Sequence, residues 1–319
     1  MQIATVVIPN LNGKQYLEAC LDSLRQQTRQ DFSVILIDNG SEDGSADYVE
    51  SHYPEVMVKR FSKNEGFCRA VNEGIRMAAT KYVVLLNNDT ACEASFIEEL
   101  VRAMEEDEGV FSGAARMVQM HDPDRMDNGG DYYCALGWAY ALGKGKPAAN
   151  YAKKRAIFSA CAAGAIYRRK VFDEIGLFDE VHFAYLEDID VAWRARIAGY
   201  RNLYLPDAVV HHVGSATSGS VYNDFKIRHS SRNSIYLIYK NMPLLQILLN
   251  LPFLAAGFLI KAIFFARMGY GHEYRTGLSK GAALCQKSRK VKFRWENLPH
   301  YLRIQWELWV NVVRRLSDF

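Results

Sequence analysis

The sequence predicts an α/β fold, in which a mostly parallel central sheet is flanked by helices and followed by a helical C-terminal appendage. Two observations support this prediction. Short apolar runs near the N-terminus alternate with helical patterns, which is the arrangement of parallel βαβ units, and the pattern from residue 225 onward is helical. A chain of 319 residues is long enough for one large α/β domain with an appendage.

The first third of the chain carries the parallel sheet. We expect strands at residues 3–8, 34–38 and 82–86, because each is an apolar or β-branched run that ends at polar, turn-forming residues. Helical patterns separate them, at residues 15–27, 44–52 and 66–79. A sheet of this kind binds its ligands beyond the carboxyl ends of the strands, so the polar residues after each strand are the candidates for chemistry.

The rest of the chain divides into a mixed region and a helical one. Residues 110–225 suggest short strands, loops and one helix at 188–198, and the glycines of 128–150 suggest a mobile loop. Beyond residue 225 the pattern predicts four helices. They are expected at residues 225–240, 244–268, 280–293 and 298–316.

Composition excludes several classes of protein. With 49% apolar and 24% charged residues, the chain is globular and not disordered. The six cysteines have no CxxC spacing, which favours reduced thiols over disulfides or a zinc site. The N-terminus has no basic stretch followed by a long apolar run, so we expect a cytoplasmic protein.

The C-terminal 80 residues are strongly basic, with 13 Lys and Arg against four Asp and Glu. Their basic residues alternate with long aliphatic runs and form no RNP-like or zinc-finger pattern, so we expect a lipid partner and no nucleic acid. The apolar stretch 247–265, with one charge at Lys261 and two weak points at Asn250 and Pro252, is borderline in length for a membrane span. Spanning would also place the basic tail across the membrane from the cytoplasmic body, against the positive-inside tendency. We therefore expect residues 244–294 to lie on the inner leaflet, while a spanning helix, a buried helix and a homo-oligomer interface stay open.

Two strand ends and one helix start offer candidate ligand-binding residues. Asp89 ends the run Asn87-Asn88-Asp89 and could hold a divalent cation beside a diphosphate, although a helix cap is an equal alternative. Asp38 could accept a hydrogen bond from the imide N–H of a uracil or thymine base, and a plain turn is its alternative. Asn64 and Gly66 open a helix where small residues would let a nucleotide approach closely.

Two further groups are candidates for catalysis and metal binding. Glu187, Asp188 and Asp190 crowd a helix start, where the helix dipole accounts for one or two acids and a third could serve as a general base. His211 and His212 end a strand, so only one of them can face the ligand. A neutral imidazole there could bind a metal, although a lone histidine is more often structural.

A run of motifs resembles a known family. In chain order these are TVVIPNLNG, VILIDNGSEDGS, NEGFCRAVNEGI, VVLLNNDT, GAIYRRKVFDEIGLFDE, YLEDIDVAWRARIAGY and VVHHVGS. Together they resemble the inverting glycosyltransferases of family two, which have the GT-A fold, over roughly residues 3–240. The run RHSSRNSIYLIYKNMP resembles the rhamnosyltransferase subgroup.

The resemblance assigns roles to individual residues. It implies that Pro9 and Asn10 contact the nucleotide and that Asp38 reads the base. Asn87-Asn88-Asp89 occupies the family's Asp-x-Asp position, with Asn87 in place of the first acid, so Asp89 is expected to ligate the metal together with His212. Asp188 matches the catalytic base, and Glu187 is its neighbour in acceptor binding. Residues 1–224 would form the catalytic domain, divided near residue 110 into nucleotide-binding and acceptor halves, and residues 225–319 the appendage.

The resemblance thus implies an Mg²⁺- or Mn²⁺-dependent, inverting transfer of a sugar, foremost L-rhamnose from dTDP-rhamnose. The acceptor would be a hydroxyl of a glycan or lipid-linked glycan at the cytoplasmic face of the inner membrane. One alternative is a sugar nucleotidyltransferase, which the single Gly and single Lys of PNLNGKQYL disfavour. Another is a non-catalytic, nucleotide-sugar-binding component of a polysaccharide assembly complex.

Overall fold

The computed structural model describes residues 2–214 and 222–317, which form a large mixed sheet between two layers of helices. The strands are β1 (Ala4–Asn10), β2 (Phe32–Asp38), β3 (Met57–Arg60), β4 (Tyr82–Leu86), β5 (Thr90–Cys92), β6 (Val110–Gln119), β7 (Asp122–Asn128), β8 (Asp131–Cys134), β9 (Trp138–Ala141), β10 (Arg155–Ile157), β11 (Gly164–Arg168) and β12 (Arg201–His212). The α-helices are α1 (Lys14–Arg25), α2 (Ser45–His52), α3 (Phe67–Met77), α4 (Phe96–Glu105), α5 (Arg169–Ile175), α6 (Glu187–Ile197), α7 (Asp224–Asn241), α8 (Leu244–Arg267), α9 (Gly271–Ala283) and α10 (Leu298–Ser317).

The sheet has the order β10-β12-β6-β11-β4-β1-β2-β3. Strands β3, β2, β1 and β4 are parallel, and the antiparallel β11 joins them to β6 and its parallel neighbour β12. Asn10 lies opposite Asp38 in the register of β1 and β2, so the polar ends of these strands meet at one edge. The sequence prediction of a mainly parallel sheet in this part of the chain is confirmed.

Helices cover both faces of the sheet. Helices α1, α2 and α4 pack on one face, and α3, α5 and α6 pack on the other. Strand β4 is buried along its whole length, which explains its continuous apolar run, because a strand covered on both faces has no solvent side. A third apolar core joins α6 and β8 to α7, α8 and α10, so the C-terminal helices share their packing with the α/β body.

Two expectations about secondary structure are wrong. Residues 128–150 are not a plain loop, because they hold the β8–β9 hairpin, in which Cys134 pairs with Trp138. Its glycines serve the turns: Gly130 and Gly137 have φ of 92° and 74°, values that favour glycine.

The helix expected at residues 280–293 instead spans Gly271–Ala283, and the chain that follows it is irregular apart from a short 3₁₀ turn. The packing of α9 against α7 explains why the helix lies at these residues. A Cβ on Gly277 would lie 1.9 Å from the Ser231 hydroxyl, and one on Gly281 would lie 2.4 Å from the Arg232 carbonyl. The two glycines let α9 lie directly against α7, and this contact outweighs their low helix propensity.

Candidate active site

A cleft of about 1050 Å³ opens at the carboxyl ends of β1, β2 and β4. One end of the cleft is rich in side-chain amides, contributed by Asn10, Asn39, Asn64, Asn87 and Asn88. The other end is aromatic, and the acidic residues Asp127, Asp131, Glu187 and Asp188 line the space with His212.

Strand pairing brings Asp89 beside His212. Strand β5 runs antiparallel to β12 with Thr90 opposite His212, and the amide of Val213 donates to the Asp89 carbonyl. Asp89 Oδ1 therefore lies 3.2 Å from His212 Nε2. His212 Nδ1 lies 2.7 Å from Asp127 Oδ2, on β7.

The electrostatics of this trio fit a divalent cation. Asp127 accepts the Nδ1 proton of a neutral His212 imidazole, which leaves the Nε2 lone pair directed at Asp89 Oδ1. That buried oxygen accepts no hydrogen bond, so two electron-pair donors converge on one point, as they do in carboxylate–histidine–metal arrangements. A carboxylate and an imidazole together suit Mn²⁺, and the carboxylate also suits Mg²⁺.

When no cation is bound, a proton on His212 can balance the negative charges of Asp89 and Asp127. Burial disfavours the charged imidazole, but the hydrogen bond to Asp127 and the negative charges of Asp89 and Asp127 prevail and raise the pKa of His212 to about 9. Burial also opposes the charged form of Asp127, yet the bond from His212 holds the pKa of this carboxyl below its ordinary value.

His211 points away from this trio, as strand alternation requires. Its Nε2 lies 3.0 Å from Glu93 Oε1 at the surface. Of the two histidines, His212 is the one that lines the cleft.

Glu187 and Asp188 occupy the first turn of α6. An Asp188 carboxylate oxygen, an Asp131 carboxylate oxygen and the Cys161 thiol lie within 4.8 Å of one another. Asp188 Oδ1 and Glu187 Oε2 are buried and have no hydrogen-bond partner among residues 2–214 and 222–317.

Burial and the proximity of these acids raise their pKa values. Burial, with Glu187 and Asp131 nearby, raises the pKa of Asp188 well above its ordinary value. Burial likewise raises the pKa of Glu187 to about 7 and that of Asp131 to about 6. A carboxylate with a raised pKa is a stronger base, which is the property that proton abstraction at neutral pH requires.

The loop before α6 has an unusual backbone. Phe183, Tyr185 and Leu186 have positive φ of 62°, 72° and 67°, a region costly for residues with a side chain. Strained backbone of this kind persists only where its surroundings hold it, and it is concentrated at functional sites.

Helix α7 holds this loop in place. The Asn233 amide donates to the carbonyls of His182, Ala184 and Tyr185 at 3.0, 2.9 and 2.7 Å. Arg232 Nη2 donates to the carbonyls of Val181 and His182. We call Arg232 and Asn233 the α7 clamp.

The amide-rich end contains most of the residues that the sequence associates with a nucleotide. Pro9, Asn10 and Asn64 line the cleft, and Asn88 Nδ2 donates to Asn10 Oδ1. Asp38 is buried beneath them, where its carboxylate accepts hydrogen bonds from Asn10 Nδ2 and the Ser41 amide.

Gly66 is not among the residues that line the cleft. It has φ of 91°, and a Cβ there would lie 2.5 Å from the Phe183 ring. Its small size therefore accommodates the strained loop. In place of Asp38, the neighbouring Asn39 faces the cleft and donates to Asn64 Oδ1 at 3.0 Å.

Sequence reasoning missed Asp127, Asp131 and Cys161. Asp131 falls in the segment interpreted as a loop, and Asp127 just precedes it. Asp127 and Asp131 lie on either side of the glycine pair 129–130. Two acids around a glycine turn are the sequence signal that could have identified them as site residues.

The chain is similar to known glycosyltransferases in sequence and in fold. Residues 5–176, more than half of the chain, match the model of glycosyl transferase family 2. An N-acetylglucosaminyl-diphospho-decaprenol L-rhamnosyltransferase from Mycobacterium tuberculosis is 26% identical over 257 residues, which cover 72% of this chain and 82% of that protein. A PGL/p-HBAD biosynthesis glycosyltransferase from Mycobacterium bovis is 25% identical over 227 residues, which cover 69% and 77%.

Two solved structures share the fold. The mannosyltransferase PcManGT from Pyrobaculum calidifontis, in complex with GDP-Man and Mn²⁺, superposes with a TM-score of 0.54 at 18% identity over 88% of this chain and 84% of that one. GalNAc-T7 with UDP, GalNAc and Mn²⁺ superposes with a TM-score of 0.60 at 15% identity over 75% and 48%. The fold is therefore that of the GT-A glycosyltransferases, and the chain belongs to glycosyl transferase family 2, whose members are glycosyltransferases that typically invert the transferred centre.

Proposed function

We propose that this glycosyltransferase moves L-rhamnose from dTDP-rhamnose to a hydroxyl of a lipid-linked glycan. The observation that carries the proposal is that Asp188 and His212 line one cleft that also has an amide-rich end, with Asp89 Oδ1 3.2 Å from His212 Nε2. The choice of sugar and acceptor is supported by the similarity to the mycobacterial rhamnosyltransferase.

Asp188 would act as the general base. It takes the proton of the acceptor hydroxyl while that oxygen bonds to the anomeric carbon and the carbon–oxygen bond to the diphosphate breaks. The electron pair leaves with dTDP, and a single displacement inverts the anomeric centre. Glu187, beside the base, would bind the acceptor.

Asp89 and His212 would hold Mg²⁺ or Mn²⁺. When bound, the ion neutralises the diphosphate and the charge that develops on the leaving group. Asp127 would fix the His212 tautomer that leaves Nε2 free to bind metal.

The amide-rich end would bind the nucleotide. Asn10, Asn64, Asn87 and Asn88 offer neutral donors and acceptors to ribose and base, and Pro9 lines the same wall. Asp38 would act through Asn10, whose amide it holds. Gly66 would act by leaving room for the Phe183 loop.

Helix α8 supports the membrane part of the proposal. It is long and apolar enough to cross a membrane, with mean hydropathy 2.0 over its most apolar 18-residue window, yet it buries its two amide side chains and exposes most of its leucines. Asn250 and Gln246 face the protein, and Asn250 exchanges hydrogen bonds with Gln305 of α10. Leu245 and Leu259, by contrast, are 77% and 61% exposed. A helix that exposes its leucines and buries its amides suits an apolar environment.

The packing of α8 favours a position in the plane of the inner leaflet over one across the bilayer. Midway along the helix, a Cβ on Gly257 would lie 2.0 Å from the Leu136 carbonyl, and Trp138 donates to the Gly257 carbonyl. The middle of α8 is thus attached to the body, and a spanning helix would draw the β8–β9 hairpin into the bilayer. Exposed cations in the segment after α8 would face anionic headgroups. They are Arg275, Lys280, Lys287, Lys292 and Arg294.

A nucleotide-sugar screen tests the proposal. With Mn²⁺ present, dTDP-rhamnose should raise the melting temperature more than UDP-glucose, UDP-galactose or UDP-N-acetylglucosamine, since ligands stabilise the native state according to affinity. Transfer to an N-acetylglucosaminyl diphosphate lipid, with NMR of the product anomer, completes the test. Release of pyrophosphate, or stabilisation by another sugar nucleotide alone, would contradict it.

A further inference from the structure

The aromatic end of the cleft has a chemistry unlike that of the amide-rich end. Its walls are the rings of Phe183, Tyr185, Tyr222, Phe225 and Tyr270. A nucleotide and its sugar are polar, so a wall of this length and composition exceeds what the donor needs.

The rings form a connected surface. The Phe225 ring centroid lies 6.2 Å from that of Phe183 and 6.1 Å from that of Tyr185. Phe183 and Tyr185 belong to the strained loop before Asp188, so the aromatic surface begins beside the proposed base.

The same surface reaches α8. The Tyr222 ring centroid lies 5.8 Å from that of Phe264 and 5.9 Å from that of Phe265, both on α8. The Tyr270 hydroxyl donates a hydrogen bond to the Tyr222 carbonyl, which connects Tyr270 to the same surface. An apolar path therefore runs from the cleft to the helix whose apolar face is exposed.

The path is accessible along its length. Tyr222, Phe225 and Phe264 are 39, 45 and 43% exposed. Large aromatic surfaces gain much free energy when covered, and a flexible apolar chain could cover these rings.

Positive charge lies beside the aromatic rings. Lys144 lines the cleft, with its Nζ 3.7 Å from Asp127 Oδ1. Lys226 follows Phe225 in the first turn of α7, and the charge of Lys144 is close enough to help burial lower its pKa. Two lysines, one lining the cleft and one next to Phe225 at the start of α7, match an amphiphile with a multiply charged anionic head.

We propose that the aromatic end of the cleft binds the isoprenoid diphosphate part of the acceptor, with the diphosphate beside Lys144 and Lys226 and the first isoprene units across Tyr222 and Phe264. This inference rests on the proposed function and names the part of the acceptor that the site recognises. The lipid enters from the α8 face, so the acceptor sugar arrives at Asp188 from the side opposite the nucleotide.

Calorimetric titration of the full chain with farnesyl diphosphate, without detergent or vesicles, tests the proposal. Farnesyl diphosphate should bind at least 10-fold more tightly than either inorganic diphosphate or farnesol. Phe264→Ser should weaken its binding about 10-fold through lost ring contact, and Lys226→Ala should weaken it while leaving farnesol unaffected. Leu245→Ser, at the far end of α8, is the matched control for lost apolar surface and should change nothing.

Three results would overturn the proposal. These are equal binding of farnesyl and inorganic diphosphate, equal losses from Phe264→Ser and Leu245→Ser, and full competition between farnesyl diphosphate and dTDP, which would assign the lysines to the donor. Melting temperatures of the variants near that of the unaltered chain exclude unfolding as the cause of a loss. Failure of the proposed sugar transfer would appear separately, in the nucleotide-sugar screen.

Discussion

In the proposed mechanism, Asp188 owes its strength as a base to its buried surroundings. An exposed aspartate is a weak base at neutral pH, but this carboxylate is buried near Glu187 and Asp131, and its Oδ1 accepts no hydrogen bond from the described residues. General-base assistance contributes roughly 10²–10⁴-fold to a rate. We expect Asp188→Asn to lower kcat by at least that factor while the dissociation constant of the donor stays within about twofold. Near-normal turnover of this variant would remove the assignment.

The raised pKa values predict the pH dependence. The base works deprotonated, and burial raises the pKa of Glu187 to about 7 and that of its neighbour Asp188 well above its ordinary value. The pair therefore takes up a proton as the pH falls through about 7, and the proton belongs to both groups. We expect kcat/KM to fall about tenfold per pH unit below this point and to level off above it. A profile from pH 5 to 9 that stays flat down to pH 5 would contradict the prediction.

Asp127 gives a prediction for metal binding. In Asp127→Asn the amide can no longer accept the Nδ1 proton with a full charge, so the His212 tautomer that exposes Nε2 is lost. Changes of this kind weaken metal affinity by about 10- to 100-fold, and a Mn²⁺ titration followed by electron paramagnetic resonance would measure it. Glu93→Gln is the matched control, because Glu93 pairs with His211 on the other side of the strand. Equal effects of the two variants would argue against a metal role for His212.

Among the secondary-structure elements, α7 connects the C-terminal appendage to the loop before the proposed base, through the α7 clamp. Asn233 and Arg232 bond five times to carbonyls of the strained loop that leads into Asp188. Asn233→Ala should let this loop relax, lowering kcat about tenfold or more while the donor KM changes little, because the amide-rich end is untouched. Steady-state kinetics separates the two parameters. Ser230→Ala is the control, since among the described residues its hydroxyl donates to the Ile227 carbonyl within α7. A variant that loses donor affinity and kcat together would indicate general disruption.

The elements predicted from sequence were those with local signals. The parallel strands and the helix over 187–197 follow from apolar runs and helical periodicity, and their polar ends gave Asp89, Asp188 and His212 as candidates. The β8–β9 hairpin was not predicted, because its glycines are typical of a loop and the sequence does not reveal the buried strand pairing. Asp127 and Asp131 reach the cleft because β7 pairs with β6, which in turn pairs with the distant β12, and because Asp131 bridges to Ser159. The pairing of β6 with β12 joins distant parts of the chain, as in Met117 opposite Val210, and no short window of a single sequence encodes it.

For the whole molecule, the exposed apolar face of α8 predicts binding to anionic vesicles. Replacing Leu245 and Leu249 by Glu places charge on this face without entering the buried side of the helix. We expect the double variant to lose most flotation with anionic liposomes, whereas Leu245→Ser with Leu249→Ser should lose less. The melting temperature should stay close to that of the unaltered chain, because neither position is buried. Unchanged flotation of the Glu variant would exclude the lipid role of α8.

The basic tail was evident from composition, but its fusion with the body was not. Sequence reasoning treated residues 225–319 as an appendage, whereas α7, α8 and α10 share a core with α6 and β8. Contacts such as the hydrogen bond from Asn311 Nδ2 of α10 to the Tyr133 carbonyl, at 2.9 Å, join residues 178 positions apart and have no signature in local periodicity. The sequence also did not show that α8 buries its amides and exposes its leucines, because the overall hydropathy of a helix does not indicate which side faces the protein.

The contact between Gly257 and Leu136 would give the proposed membrane-bound enzyme a fixed reach. Because α8 is attached to the body at its midpoint, a protein resting on this helix would hold Asp188, the proposed base, at one set height above the lipid headgroups. An acceptor hydroxyl would then have to lie at that height, and a glycan already lengthened by further sugars would carry its newest hydroxyl past the site. In this proposal, the attachment of one helix limits the length of the acceptor that can be glycosylated.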